Sequence, residues 1–149
     1  MNSELQSKLW ETYPKIFSAS QSEDGEWMGL FCECDDGWYE IINSLCRNIQ
    51  HTIDWNNATG EFSKYSPKED LIEQVIASQI KEKFGGLRFY YDGGYKSEAL
   101  LGDILGMVAM AEAISLKVCE TCGSPGKLKK LNGWYKTCCD SCEKNDESS

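Results

Sequence analysis

A chain of 149 residues with 41% hydrophobic and 26% charged side chains is long enough to bury one core, and no stretch of it approaches the roughly 20 apolar residues that cross a bilayer. The net charge of −9 is uneven: residues 1–75 carry 14 acids and 5 bases, whereas 76–118 and 119–149 carry 5 of each. Bulk binding of a phosphate backbone is therefore disfavoured for the first half, whose acidic surface suits solvent or a basic protein.

The start, MNSELQSKLWETYPK, lacks the basic segment and apolar run of a secretory signal, so the chain is expected in the cytoplasm with its thiols reduced. Ser3-Glu4-Leu5-Gln6 has the form of a capping box. Leu5, Leu9 and Tyr13 follow at helical spacing, and Pro14 ends that helix. Residues 18–26 read as a polar loop. Asp36 is placed to cap a second helix, whose stripe of Trp38, Ile41, Ile42, Leu45, Ile49 and Ile53 gives it one apolar face. Residues 59–70 read as another loop, in which Ser66-Pro67-Lys68-Glu69 can start a short helical turn.

Residues 74–84 are expected as a strand, because Gly85-Gly86 and the β-rich run LRFYY follow directly and make a hairpin. Ser97 then caps a long helix with Leu100, Leu101, Ile104, Leu105, Val108, Ala111 and Ile114 on its apolar side. Gly102, Gly106, Ala109, Ala111 and Ala113 predict close packing of that helix against the sheet.

Four of the eight cysteines have a spacing with chemical meaning: Cys119-x2-Cys122, 16 residues, then Cys139-x2-Cys142. A two-residue gap lets both thiolates of a pair face one ion, and a hairpin between the pairs brings them together, with Gly123, Gly126 and Gly133 in the turns. This is the pattern of a structural zinc ribbon, in which the metal holds a segment too small to form its own core. Cys138 adjoins Cys139 and competes with it as ligand, but the Cys139-Asp140-Ser141-Cys142 spacing favours Cys139. Four thiolates leave no coordination position for water, so the metal is expected to do no chemistry. Cys32 and Cys34, one residue apart, make a poor chelating pair, and Cys46 reads as a small core residue.

No enzyme signature emerges. The one histidine, His51, has no Ser/His/Asp setting, Asp35-Asp36 are explained by helix capping, and KFGGLRF lacks the spacing of a P-loop or dinucleotide fingerprint. Between the metal pairs, Lys127, Lys129, Lys130 and Lys136 occur with no acid from 123 to 137, which suits either a solvated hairpin or phosphate contact. Trp134 and Tyr135 are expected to pack the ribbon onto the main body.

Strand alternation puts Leu87, Phe89 and Tyr91 on one face and Arg88 and Tyr90 on the other. Lys81 and Lys83 can share the second face. Guanidinium, ammonium and phenol together suit a flat anion, with Lys81, Lys83 and Arg88 holding charge and Tyr90 or Tyr91 stacking. A solvated polar face is the other reading.

The combination of KEKFGGLRFYYDGG, a helix rich in small residues, and CETCGSPGKLKKLNGWYKTCCDSC resembles a group of small phage and prophage proteins of unassigned function, and WYEIINSLC is similar to it as well. The likeness spans residues 1–142. It implies a viral or mobile-element setting in a host cytoplasm, where small accessory proteins often act on host machinery by binding, including anti-defence capture of nucleotide immune signals. The expected architecture is α+β: residues 1–116 as helices on a small antiparallel sheet, 117–143 as the zinc ribbon, and 144–149 as a disordered tail. The expected function is non-enzymatic capture of a nucleotide-derived anion at the hairpin. The alternatives are inhibition of a host protein through the acidic first half, and nucleic-acid binding through Lys127, Lys129 and Lys130.

Overall fold

The structure, a computed structural model, describes residues 1–18, 31–58, 71–94 and 98–146. Nearly all of the loop at 18–26, the loop at 59–70 with its turn at Ser66, the cap at Ser97 and the last residues of the tail lie outside the described residues. The fold is α+β. Helix α1 (Ser3–Thr12), strand β1 (Cys32–Glu33), a 3-10 turn (Asp36–Trp38) and helix α2 (Tyr39–Asn56) precede the hairpin β2 (Ile76–Lys83) and β3 (Gly86–Asp92). Helix α3 (Glu98–Ser115), a second hairpin β4 (Lys127–Leu131) and β5 (Trp134–Cys138), and helix α4 (Asp140–Asp146) complete the chain. Among the described residues, no helix is long and apolar enough to cross a membrane.

The first hairpin forms as its alternation requires, with Lys81 opposite Arg88 and Ile80 opposite Phe89. Its turn lies one residue earlier than Gly85-Gly86. Phe84 (φ 55°) and Gly85 (φ 79°) are the two central residues, and Gly86 already pairs with Lys83. Two central residues of positive φ give the turn whose twist matches the strands. An irregularity at Ser78 lets Ala77 face the core together with Ile80. The sheet is not purely antiparallel, because β1 joins β2 in parallel, Cys32 opposite Ile80. Two residues are too few to show a period, which is why this strand is invisible in the sequence.

Both edges of the sheet are closed by side chains. On β3, the Leu87 N–H donates to Ser115 Oγ (2.9 Å) and the Phe89 N–H to Glu112 Oε1 (3.1 Å), both from α3. On β1, the Cys32 N–H donates to Gln6 Oε1 (2.6 Å), and the terminal ammonium of Met1 donates to the carbonyls of Cys32 (3.2 Å) and Cys34. Each such bond contributes about 1 kcal/mol net and removes a template for pairing with another chain.

Two caps differ from expectation. Asn2, not Ser3, caps α1 through Oδ1, which accepts from the Leu5 N–H at 2.9 Å. Asp36 does not cap α2. Its carboxylate accepts from the backbone N–H and the side-chain amide of Asn2, both at 2.7 Å, and these bonds hold its carboxyl below the ordinary range. Asp36 therefore ties the N-terminus to the turn before α2.

The stripe of α2 is buried as its period demands: Trp38, Ile42, Leu45, Ile49 and Ile53 join the core, together with Cys46. They meet Ile80, Leu87 and Phe89 of the sheet and Ile104, Val108 and Ala111 of α3. On α3 the sequence is less informative, being apolar nearly all round. Leu105 and Ile114, expected inside, are exposed, as is Met110. Gly102 and Gly106 face open space, since a Cβ added to either meets nothing within 4 Å. The helix instead divides its contacts between α2 and the β3 edge, and Ser115, fully buried, serves the latter. The side chains of Leu100 and Leu101 lie outside the described ones.

Candidate metal centre and binding face

The first cysteine pair sits in a tight turn. The Gly123 N–H donates to Cys119 O (2.9 Å), the Cys119 N–H to Ser124 O (2.7 Å), and Gly123 takes a positive φ of 77° that suits glycine. The hairpin β4–β5 follows, closed by Asn132 (φ 49°) and Gly133 (φ 89°), the Asn-Gly pair such a turn favours. The second pair opens α4: Cys139 precedes its first residue, and Cys142 lies in its first turn. Lys129 of β4 pins that helix through Asp140 (2.8 Å) and Glu143 (2.6 Å). The stretch from Lys144 to Asp146, expected to be disordered, is accordingly helical.

The Sγ atoms of Cys119, Cys122, Cys139 and Cys142 all lie within 4.8 Å of one another, with Cys122 and Cys139 at 3.7 Å. Ligands about 2.3 Å from a tetrahedral ion are separated by about 3.8 Å, so the quartet can hold one metal ion. Cys138 lies apart from the quartet and is buried, which settles the register in favour of Cys139. The protonation chemistry agrees. The Ser124 hydroxyl, then its backbone N–H, pull the Cys122 thiol down to about 6, so it offers a thiolate at neutral pH. Cys142, against Cys122 and Cys139, is pushed up. Four thiols this close cannot all ionise unless a cation neutralises them.

The ribbon rests on the main domain at two places. At the first knuckle, the Gly37 N–H donates to Glu120 O (2.7 Å), the Asp35 N–H to Glu120 Oε1 (3.2 Å) and the Trp38 indole N–H to Val118 O (2.9 Å). Trp38 is fully buried, and burial pushes the Glu120 carboxyl up. At the β5 end, the Thr137 hydroxyl, also fully buried, donates to Gly85 O (2.6 Å) in the turn of the first hairpin. Trp134 and Tyr135, expected to pack the ribbon onto the main body, do not do so: both side chains are exposed, Trp134 at 80%.

The hairpin residues separate into two sets. Lys81, Arg88 and Tyr90 share the face turned away from the core, with the Lys81 ammonium 5.5 Å from the Tyr90 ring centre. Lys83 lies on the same face, 5.5 Å from the Phe84 ring. Tyr91 does not belong with them. Opposite Ala77, it turns to the core side, its ring 6.2 Å from that of Phe89. Arg88 donates to Leu87 O (2.6 Å) and lies 3.9 Å from Glu112, and Glu33 of β1 stands in register beside Lys81.

Sequence reasoning missed a groove of about 600 Å³ between α2, α3 and the first knuckle. Ile41, Leu45, Met107, Met110 and Ile114 line it, with Glu40 as its one charge. The only sequence signal for it was an excess of apolar residues on α3. His51 is exposed on α2, and Cys32, Cys34 and Cys46 are buried thiols, Cys32 and Cys34 pushed up to about 11 and about 12 mainly by burial. No protein-family model, curated protein or solved structure matches the chain.

Proposed function

We propose that this is a non-enzymatic, phage-type binding protein that antagonises a host process by capturing a nucleotide-derived anion on the open face of the β2–β3 hairpin. The observation that carries the reading is the grouping of Lys81, Arg88 and Tyr90: cross-strand cations beside an exposed ring. A guanidinium has five donors; Arg88 Nη1 donates to Leu87 O and lies 3.9 Å from Glu112, and the donors on its other nitrogens can meet phosphate. The four-cysteine site would hold zinc, with Cys119, Cys122, Cys139 and Cys142 filling its shell. Such an ion orders the ribbon and offers no open position for a reacting water.

Thermal melting against cyclic nucleotides and ADP-ribose derivatives tests the reading. A ligand at a hundred times its Kd should raise Tm by about 8 °C. Arg88→Ala should weaken binding about tenfold or more through loss of a charge-assisted contact. No shift with any compound, and no nucleotide released on denaturation, defeats the proposal.

A second reading has its own observation. The α2–α3 groove is apolar, carries only Glu40, and opens on the exposed Met110 and Ile114. An amphipathic helix of a partner protein with basic flanks would fit it, in line with the acidic first half. Ile114→Glu should abolish capture of such a partner and leave the nucleotide shift intact. Unchanged capture would dispose of this reading.

A further inference from the structure

Two hairpins separated by 34 residues of sequence meet at Gly85. A Cβ added to Gly85 would collide with Leu128 Cδ1 and lie 3.3 Å from the Tyr135 carbonyl carbon, and Gly85 O takes the Thr137 hydroxyl. Across this junction the same pairing occurs three times: Lys81 over Tyr90, Lys83 over Phe84 and Lys130 over Tyr135, at 5.5, 5.5 and 5.7 Å. All three rings are exposed. We propose that a single-stranded nucleic acid crosses both hairpins along these three lysine-and-aromatic steps.

Each step offers the two things an unpaired nucleotide needs, a ring face for the base and an ammonium for the phosphate. Alternate residues on a strand are about 6.6 Å apart, so Lys81 and Lys83 suit successive phosphates of an extended strand. The middle step is the most telling. Phe84 holds a left-handed φ of 55°, a conformation that costs a bulky residue about 1 kcal/mol and that glycine or asparagine would adopt freely. Its ring is 68% exposed, so it adds nothing to the core that would offset the strain.

Charge sets the path. Glu33 flanks Lys81 on the β1 side, and on the β3 side Glu112 is engaged by the Phe89 N–H and lies 3.9 Å from Arg88, so the strand runs between them over the lysines and on to the ribbon, where no acid occurs from 123 to 137. Lys129 is not a step, being held by Asp140 and Glu143. The acidic surplus lies in residues 1–75. Duplex is disfavoured because its bases are already stacked on one another. The first step coincides with the hairpin face proposed above and in that respect rests on it, whereas the Lys130–Tyr135 step does not.

The test is fluorescence anisotropy of a labelled oligothymidylate of about 12 nucleotides with the full, metal-loaded chain. Binding should weaken with salt at a log–log slope of about −2, for three ammoniums at about −0.7 each. Tyr90→Ala and Tyr135→Ala should each weaken it about tenfold. Lys15→Ala, at an exposed pair with Asp54, should not change it. Both tyrosines are exposed, so the variants should keep the fold, which circular dichroism checks. No binding at roughly 100 µM protein in low salt, or binding indifferent to Tyr135→Ala, overturns the inference. If a small nucleotide still binds through Arg88 in that case, the hairpin reading survives alone. Oligonucleotide binding that needs both tyrosines, with no response to small nucleotides, leaves the ladder standing and removes the small-ligand reading.

Discussion

Stripping the metal is expected to unfold residues 117–146 while α1, α2 and the β2–β3 hairpin stay ordered. The ribbon has almost no core of its own. Leu128, Trp134 and Tyr135 are exposed, and Cys119, Thr137 and Cys138 are the buried side chains of its two knuckles and its hairpin, beside Glu120. Structural zinc in isolated fingers supplies roughly 10–16 kcal/mol, against roughly 5–15 kcal/mol for the stability of a whole domain. Even a fraction of that decides whether the ribbon is folded. Hydrogen exchange after chelation should show protection lost from β4, β5 and α4 and largely kept in α2. Cys119→Ser and Cys139→Ser should lower metal content well below one ion per chain, whereas Cys138→Ser, outside the quartet, should retain it. Unchanged protection after chelation, or full metal content in Cys139→Ser, would refute the four-thiolate site.

Gly37→Ala should be among the most damaging single methyl groups in the described chain. A Cβ at Gly37 would overlap the carbonyl oxygens of Cys119 and Glu120 and the amide nitrogen of Gly123. All three are backbone atoms of the knuckle, so no change of rotamer relieves the clash. The 3-10 turn and the knuckle must separate, which endangers the bonds from Gly37 and Asp35 to Glu120 and from Trp38 to Val118. Overpacking costs about 1–3 kcal/mol and each of the three lost bonds about 1 kcal/mol, giving about 4–6 kcal/mol and a Tm lower by about 12–18 °C. Metal content should remain at one ion per chain, because the thiols keep their local turns. Gly106→Ala is the control: it meets nothing within 4 Å and removes a helix-interior glycine, so Tm should hold or rise slightly. A Tm for Gly37→Ala within about 2 °C of the parent protein would show that the knuckle is not seated on the turn.

Some of this was legible from neighbouring residues alone. The stripe of α2, the alternation of Leu87, Phe89 and Arg88, and the two Cys-x2-Cys pairs are local patterns. Their geometry closes within a few residues, and the metal pairs close on each other through one hairpin. Short-range periodicity therefore determined the fold class and the thiol quartet, and it put Lys81, Arg88 and Tyr90 on one face.

What the tertiary structure decided depends on partners distant in sequence. Asp36 looked like a helix cap because that is the nearest use for it, but Asn2, 34 residues away, claims both its oxygens. An almost uniformly apolar α3 has no period to say which side is inside, so α2 and the β3 edge chose Ile104, Val108 and Ala111 and left Leu105 and Ile114 in solvent. The seat of the knuckle on Gly37 and the meeting of the hairpins at Gly85 have no sequence signature, and the groove has only the apolar excess of α3. Each arises where two surfaces meet whose shapes were set independently by their own elements.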